Sequence, residues 1–331
     1  MRRFIIILSA LVLFAACSRM DKENDPLHGG EAGRIMLRAM TKADDVMNAV
    51  DDKPVFIFWL EGDQSKIGTE EVLPYFVSYP QGVVDDYKST PYNTGYPYPG
   101  SMTVYACGYN PSYLEMEMGD GIYSWTSLIV PEGMHGYVDI TGTQTFVQGS
   151  KDSPFEADDA QTMKFHHLQS KVNFTARLGD IPAERYFRAV KITVNGNGVF
   201  TDKISWSVTG YYASTSADED VLWSATDENT NQMDPNEVDP RSIGSVYIHP
   251  GQTKIAFDVE VEMSETVTFD SSEIIKATAN VEFKENGTGI ALNAGDEYDI
   301  NITILYDSFV IKGNKAKWQD GGKIPLPFYP N

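Results

Sequence analysis

The sequence predicts an all-β protein, a sandwich or barrel, on three observations. Short apolar or alternating segments succeed one another along 331 residues, turn residues (Gly, Pro, Asn, Asp) separate them, and no long segment keeps the 3.6-residue period of a helix. A hydrophobic share of 42% and an aromatic share of 12% argue against disorder, and the length suits two domains of ordinary size with sizeable cores.

In chain order, residues 1–17 read MRRFIIILSALVLFAAC. Two arginines precede an apolar run from Phe4 to Phe14 that is too short for a bilayer core of roughly 30 Å, which is the pattern of a secretory signal peptide. Its end, Ala15-Ala16-Cys17, resembles a bacterial lipobox, which implies acyl chains on Cys17 and stable membrane anchoring by several chains together. The segment 18–33 is expected to be a flexible acidic tether. Its first part, SRMDKEND, is polar and low in hydrophobicity, and acidic residues just after the cysteine resemble a signal for export to the outer face of the outer membrane.

Residues 34–160 are read as a first sandwich. Its strands are expected at Arg34–Thr41, at Val55–Leu60 (VFIFWL, apolar throughout and therefore central), Tyr75–Tyr79, Met102–Tyr109, Ile122–Leu128, His135–Thr141 and Thr145–Val147. A short helical turn is expected at Ala43–Val50. The acidic, polar connection Gly149–Ala160 then leads to a second sandwich over 161–331, opened by Thr162–Leu178. There Val172, Phe174, Ala176 and Leu178 alternate with Asn173, Thr175 and Arg177, the period of a strand with one buried face. Further strands are expected at Phe187–Asn195, Val199–Val208, Ser245–His249, Thr253–Glu262, Ile274–Phe283, Tyr298–Leu305 and Phe309–Lys312. Ile255, Phe257, Val259 and Val261 face one way, as do Tyr298, Ile300, Ile302 and Ile304. Tyr211–Arg241, polar and without clear period, reads as a long surface excursion.

Four segments together carry a family resemblance. They are the lipobox; Phe165–Val172, a hydrophobic residue, a His and a following Lys before an alternating strand; Leu292–Ile304, a small residue and Gly, then Tyr, then alternating isoleucines; and Trp318 near the end. Thr41-Lys42-Ala43 is similar to a Thr-Arg-Ala that often precedes the first core strand, with Lys in place of Arg. In this order they resemble the fimbrillin family, the lipoprotein pilus subunits of Bacteroidales-type bacteria. The resemblance implies two tandem transthyretin-like β-sandwiches and a structural, adhesive role rather than catalysis. It also implies that an Arg- or Lys-specific protease cuts near the N-terminus, at Arg38 or Lys42 here, and that the segment Ile35–Met40 is lost. A strand of another subunit then fills the vacated groove by β-augmentation. The partners implied are other fimbrial subunits and the outer membrane, through the lipid anchor, with a host or bacterial surface glycan or protein as adhesion target. Lys323–Tyr329 (KIPLPFY) is a candidate donor, but Pro325 and Pro327 suit an edge or tail better than a central insert.

A formal charge of −21 opposes the neutralisation of phosphates, so nucleic acid is not an expected partner. His166 and His167, being neighbours on a strand, point to opposite faces and do not share a metal ion; a hydrogen-bonded structural role at the junction of the two halves is expected for one of them. Cys107 lacks a local nucleophile signature and reads as a packed small hydrophobe, Tyr105, Cys107 and Tyr109 facing one way and Val104, Ala106 and Gly108 the other. No Walker loop, nucleophile elbow, zincin helix or EF-hand loop is present, and no cofactor is expected. A carboxylate pair of glycosidase type cannot be located among 47 acidic residues.

The alternative function comes from Leu73–Gly100, where tyrosines alternate with prolines. Tyr92, Tyr96 and Tyr98 on a semi-rigid loop form a candidate platform for sugar rings or protein, which would make the chain a surface glycan-binding lipoprotein. The bland reading is a loop whose tyrosines pack back on the sandwich.

Overall fold

The computed structural model describes residues 34–37, 39–41, 55–60, 67, 76–78, 84–85, 88–89, 92–97, 103–111, 114–119, 122–150, 163–179, 185–207, 210–216, 222–226, 239–285, 288–305 and 309–316. Among them every regular element is a β-strand, so the all-β expectation holds. The predicted helical turn at Ala43–Val50 lies outside the described residues.

In the second half of the chain two four-stranded sheets face each other. One runs in the spatial order Arg241–Ile248, Ser170–Leu178, Glu297–Ile304, Phe309–Ala316, the other Leu222–Thr226, Tyr186–Asn195, Lys254–Ser264, Ser272–Glu282. Ser170–Leu178 and Glu297–Ile304 run parallel in unbroken register from Lys171–Glu297 to Leu178–Ile304. The alternation of the sequence decides which residues meet between the sheets: Val172, Phe174, Ala176, Ile255, Phe257, Val259, Tyr298, Ile300 and Ile302 are all buried in one cluster. Phe174 sits at its centre, stacked on Trp223 at 5.7 Å and edge-on to Phe257 at 5.0 Å between ring centroids.

The long polar stretch Tyr211–Arg241 is not a bare excursion. It contributes the strands Gly210–Thr215 and Leu222–Thr226. Its alternation is short but present: Trp223 is buried while Leu222 and Ser224 are exposed, and Trp223 brings a large aromatic surface to the core. The predicted strand His135–Thr141 is corrected in the other direction. The chain turns over Glu132–Tyr137 and only Thr141–Gly142 pairs as a strand. Gly136, at φ +78°, lies against Phe200 and Trp223 where no side chain fits.

A second buried cluster joins Val55, Ile57, Trp59, Tyr105, Cys107, Tyr109, Leu128 and Ile140 with Leu168, Ile204 and Trp206. All of these last three follow residue 161 in sequence, and Thr201–Ser207 pairs with Ile122–Ile129 and with Gly210–Thr215. The Trp206 indole N–H donates to the Thr143 carbonyl at 2.7 Å, and its ring stacks on Tyr109. Val55–Leu60 is central as expected, between Phe76–Ser78 and Val104–Asn110.

Val104–Asn110 is buried at every position. Tyr105, Cys107 and Tyr109 face the second cluster, while Val104 and Ala106 belong to a third, smaller one with Leu37, Phe58, Met163 and Phe165. This third cluster is where the start of the chain enters the fold.

A candidate assembly groove around the N-terminal strand

The segment Arg34–Thr41 forms two short strands, Arg34–Leu37 and Ala39–Thr41, with Arg38 between them outside the described residues. Ala39–Thr41 runs parallel to Met163–Phe165, in the register Met163–Ala39, Lys164–Met40, Phe165–Thr41, and on its other side Met40 opposes Lys88 in an antiparallel bridge. Arg34–Leu37 pairs antiparallel with Tyr92–Pro97, Leu37 opposite Tyr92 and Met36 opposite Asn93, with a register shift between Arg34 and Met36. The partners of the N-terminal segment are thus distant in sequence, and its second strand, Ala39–Thr41, lies between two other strands of the fold. One cut behind it would detach the segment while leaving the rest of the chain covalently whole.

Leu37 ties the segment to the interior. Its side chain is fully buried beside Phe58, Val104, Ala106, Met163 and Phe165, a burial that stabilises by about 1.5–3 kcal/mol. Removal of the segment would therefore leave an apolar recess, with Met163–Phe165 and Lys88 unpaired on the two sides of the place of Ala39–Thr41 and Tyr92–Pro97 unpaired along that of Arg34–Leu37.

The residues singled out from sequence fall around this groove to different degrees. Tyr92 and Tyr96 lie on a strand rather than a loop, and that strand is the N-terminal segment's own neighbour; Tyr98 lies outside the described residues. The period-2 run Tyr92, Thr94, Tyr96 was the available signal for this strand, and the four prolines around it masked it. Cys17, Lys42 and Lys323–Tyr329 lie outside the described residues as well. Leu37, which the sequence did not distinguish from its apolar neighbours, is the residue the groove is built on.

Met163–His167 also carries the histidine pair. His167 is buried, and its Nδ1 lies 2.9 Å from Asp139 Oδ1, while His166 points to the other face. Thr141 and Gly142 pair with His167 and His166, and the Gln169 side-chain carbonyl accepts from the Ile140 N–H at 3.0 Å. The expected structural role at the junction belongs to His167. Together these bonds hold the strand that borders the groove against the turn segment before Thr141. Cys107 is a buried free thiol whose pKa burial pushes up, the opposite of an activated nucleophile. Among the described residues no cluster of three or more His, Cys, Asp or Glu could hold a metal ion. No helix among them is long and apolar enough to cross a membrane.

No family model and no curated protein matches this sequence. Solved structures do match its fold. A candidate cell adhesion protein from Bacteroides uniformis superposes with a TM-score of 0.51 at 13% identity, over 86% of this chain and 99% of its own. A candidate cell adhesion protein from Parabacteroides distasonis superposes with a TM-score of 0.53 at 9% identity, over 84% of this chain and 90% of its own. At such identities the likeness establishes a common fold across most of both chains.

Proposed function

We propose that this chain is a structural and adhesive fimbrial subunit of the fimbrillin type, exported as a lipoprotein through Cys17, that assembles by strand complementation once its N-terminal strand is removed. The fold it shares with the two candidate adhesion proteins is consistent with that family, and the order of motifs in the sequence points the same way. The observation that carries the reading is the seat of the N-terminal segment. It is peripheral in the chain but inserted between strands, and Leu37 plugs an apolar recess. An incoming strand would find backbone partners on both sides and a pocket that fixes its register.

The pairing pattern gives the two candidate cleavage positions different consequences. A cut after Arg38 releases Arg34–Leu37 and its plug but leaves Ala39–Thr41 on Met163–Phe165; a cut after Lys42 releases both strands and opens the whole groove. Full polymerisation by this reading therefore goes with cleavage after Lys42. A subunit that keeps both strands would serve as an anchor or terminator, beginning at acylated Cys17. Tyr92, Tyr96 and Tyr98 are the candidate adhesion residues of this reading, for a glycan or protein.

The test is intact mass and N-terminal sequencing of protein recovered from the cell surface, followed by incubation of the purified precursor with an Arg/Lys-specific protease. Polymers that form only after trimming, and fail to form with Lys42→Gln, support the reading. Precursor that polymerises untrimmed, or trimmed protein that never polymerises with itself or with fimbriae from the same cells, overturns it.

A further inference from the structure

Two edge strands of the second sandwich lie on the same side of it. Leu222–Thr226 ends one sheet and Arg241–Ile248 the other, and a Cβ on Gly244 would stand only 2.7 Å from that of Ala225. An open edge is a template for a further strand, and proteins blunt it with charge, proline or cover. The opposite edges, Ser272–Glu282 and Phe309–Ala316, carry lysines, Lys276 in one and Lys312 and Lys315 in the other. Leu222–Thr226 (LWSAT) has neither charge nor proline, and Arg241–Ile248 has none after Arg241. What meets these two edges is a turn from the first half of the chain, Glu132–Tyr137.

The Tyr137 hydroxyl donates to the Ser224 carbonyl at 3.0 Å and accepts from the Ser224 N–H at 2.9 Å. One side chain thus satisfies both backbone groups that Ser224 turns away from its register partner Thr193. On the neighbouring edge the Tyr247 N–H donates to the Gly136 carbonyl at 2.9 Å. The turn is anchored at both feet. Val130, Val138 and Ile140 lie in the second buried cluster, and His135 Nε2 is 3.3 Å from Asp202 Oδ1. Tyr137 itself stays half-exposed, its ring 6.0 Å from that of Trp223, so it stands where an arriving strand would have to lie.

We infer that Glu132–Tyr137 is an edge guard: it holds the backbone groups by which Leu222–Thr226 would pair with the same strand of a second copy, and so keeps strand addition off this side of the sandwich. The uncharged edges are the ones it covers, while the edges it leaves bare carry their own lysines. A tyrosine suits the task because its hydroxyl both donates and accepts; a phenylalanine would cover the edge and leave both groups of Ser224 without a partner. One consequence rests on the fimbrial reading: in a chain that assembles by strand complementation, the guard confines addition to the N-terminal groove.

Amide hydrogen exchange and sedimentation of the untrimmed full chain test the guard. In Tyr137→Phe the Ser224 amide is expected to exchange about tenfold faster, while the amides of Lys254–Ser264 keep their rates. Tyr137→Ala, which removes the cover as well, is expected to associate at concentrations where the wild type sediments as a monomer, with new protection at 222–226. Adding Ser224→Pro returns it to a monomer, because proline deletes the outward N–H and leaves the pairing with Tyr186–Asn195 intact. A Ser224 amide unchanged in Tyr137→Phe, a Tyr137→Ala chain that stays monomeric, or association that survives Ser224→Pro overturns the proposal. Near-UV circular dichroism identifies a variant that has lost its fold, and Tyr137→Phe, which keeps the ring, then decides. No trimming enters these measurements, so failure here and failure of the fimbrial reading are told apart.

Discussion

Gly108 and Phe165 lie so close that a Cβ on Gly108 would stand 2.7 Å from the ring's Cζ and 2.8 Å from the carbonyl oxygen of Val55. Phe165 belongs to the strand that borders the N-terminal groove, and Gly108 to the central strand beneath it. The absence of a side chain at 108 is what leaves room for the Phe165 ring. Gly108→Ala is therefore expected to destabilise by about 1–3 kcal/mol, since neither the backbone of Val55 nor the buried ring can give way freely. Urea unfolding monitored by tryptophan fluorescence measures it, and an unchanged midpoint would refute the tight contact.

Leu37 fills the recess of the third cluster. Leu37→Ala is expected to cost about 2–5 kcal/mol in the untrimmed chain. It should also speed release of the N-terminal segment under limited trypsin, followed by gel and mass spectrometry. Digestion at the wild-type rate would mean that the segment is held by its backbone pairs alone.

Burial lowers the pKa of His249. The neutral ring is favoured in the folded state, so below the ordinary value of about 6.5 the unfolded chain binds the proton first. Stability is then complete above that value and declines as pH falls towards the folded pKa. His249→Gln should flatten this part of the profile. Equilibrium unfolding of both proteins in buffers on either side of that value decides it; parallel slopes would assign the acid sensitivity to other groups.

Arg188 grips Glu262 through two parallel bonds of 2.7 and 2.9 Å and lies 4.2 Å over the ring of Phe269. Hydrogen bonds from Arg188 and then from Ser272 hold the Glu262 carboxyl below the usual range. That contribution is present above the ordinary glutamate value of about 4.3 and is lost as pH falls through the lower folded value. A lysine has no planar fork to bond both oxygens while stacking on the ring. Arg188→Lys is expected to weaken the acid limb of the stability profile, and NMR titration of the Glu262 carboxyl should show its pKa returning towards the ordinary value. A carboxyl that titrates unchanged in the variant would leave Ser272 as the group that sets it.

The all-β class and nearly all the strands of the second half were legible in the sequence, because each alternates over many residues and period 2 needs no knowledge of neighbours. Ile255–Val261 and Tyr298–Ile304 bury the faces that their spacing assigns, and His167 and Cys107 have the structural roles their contexts suggested. Leu222–Thr226 and Gly210–Thr215 were obscured by polar residues on their outer faces, and the turn at Glu132–Tyr137 by apolar residues that pack from an irregular backbone. Pairing was not legible at all. No local pattern says that Ala39–Thr41 runs parallel to Met163–Phe165, that Leu37 lies opposite Tyr92, or that Thr201–Ser207 returns to Ile122–Ile129. The sequence by itself determined which residues turn inward and where the chain changes direction, since these follow from side-chain polarity and backbone freedom. The tertiary structure alone decided which strands lie side by side, and so where the groove is, because non-local pairing depends on how all the apolar faces are covered at once.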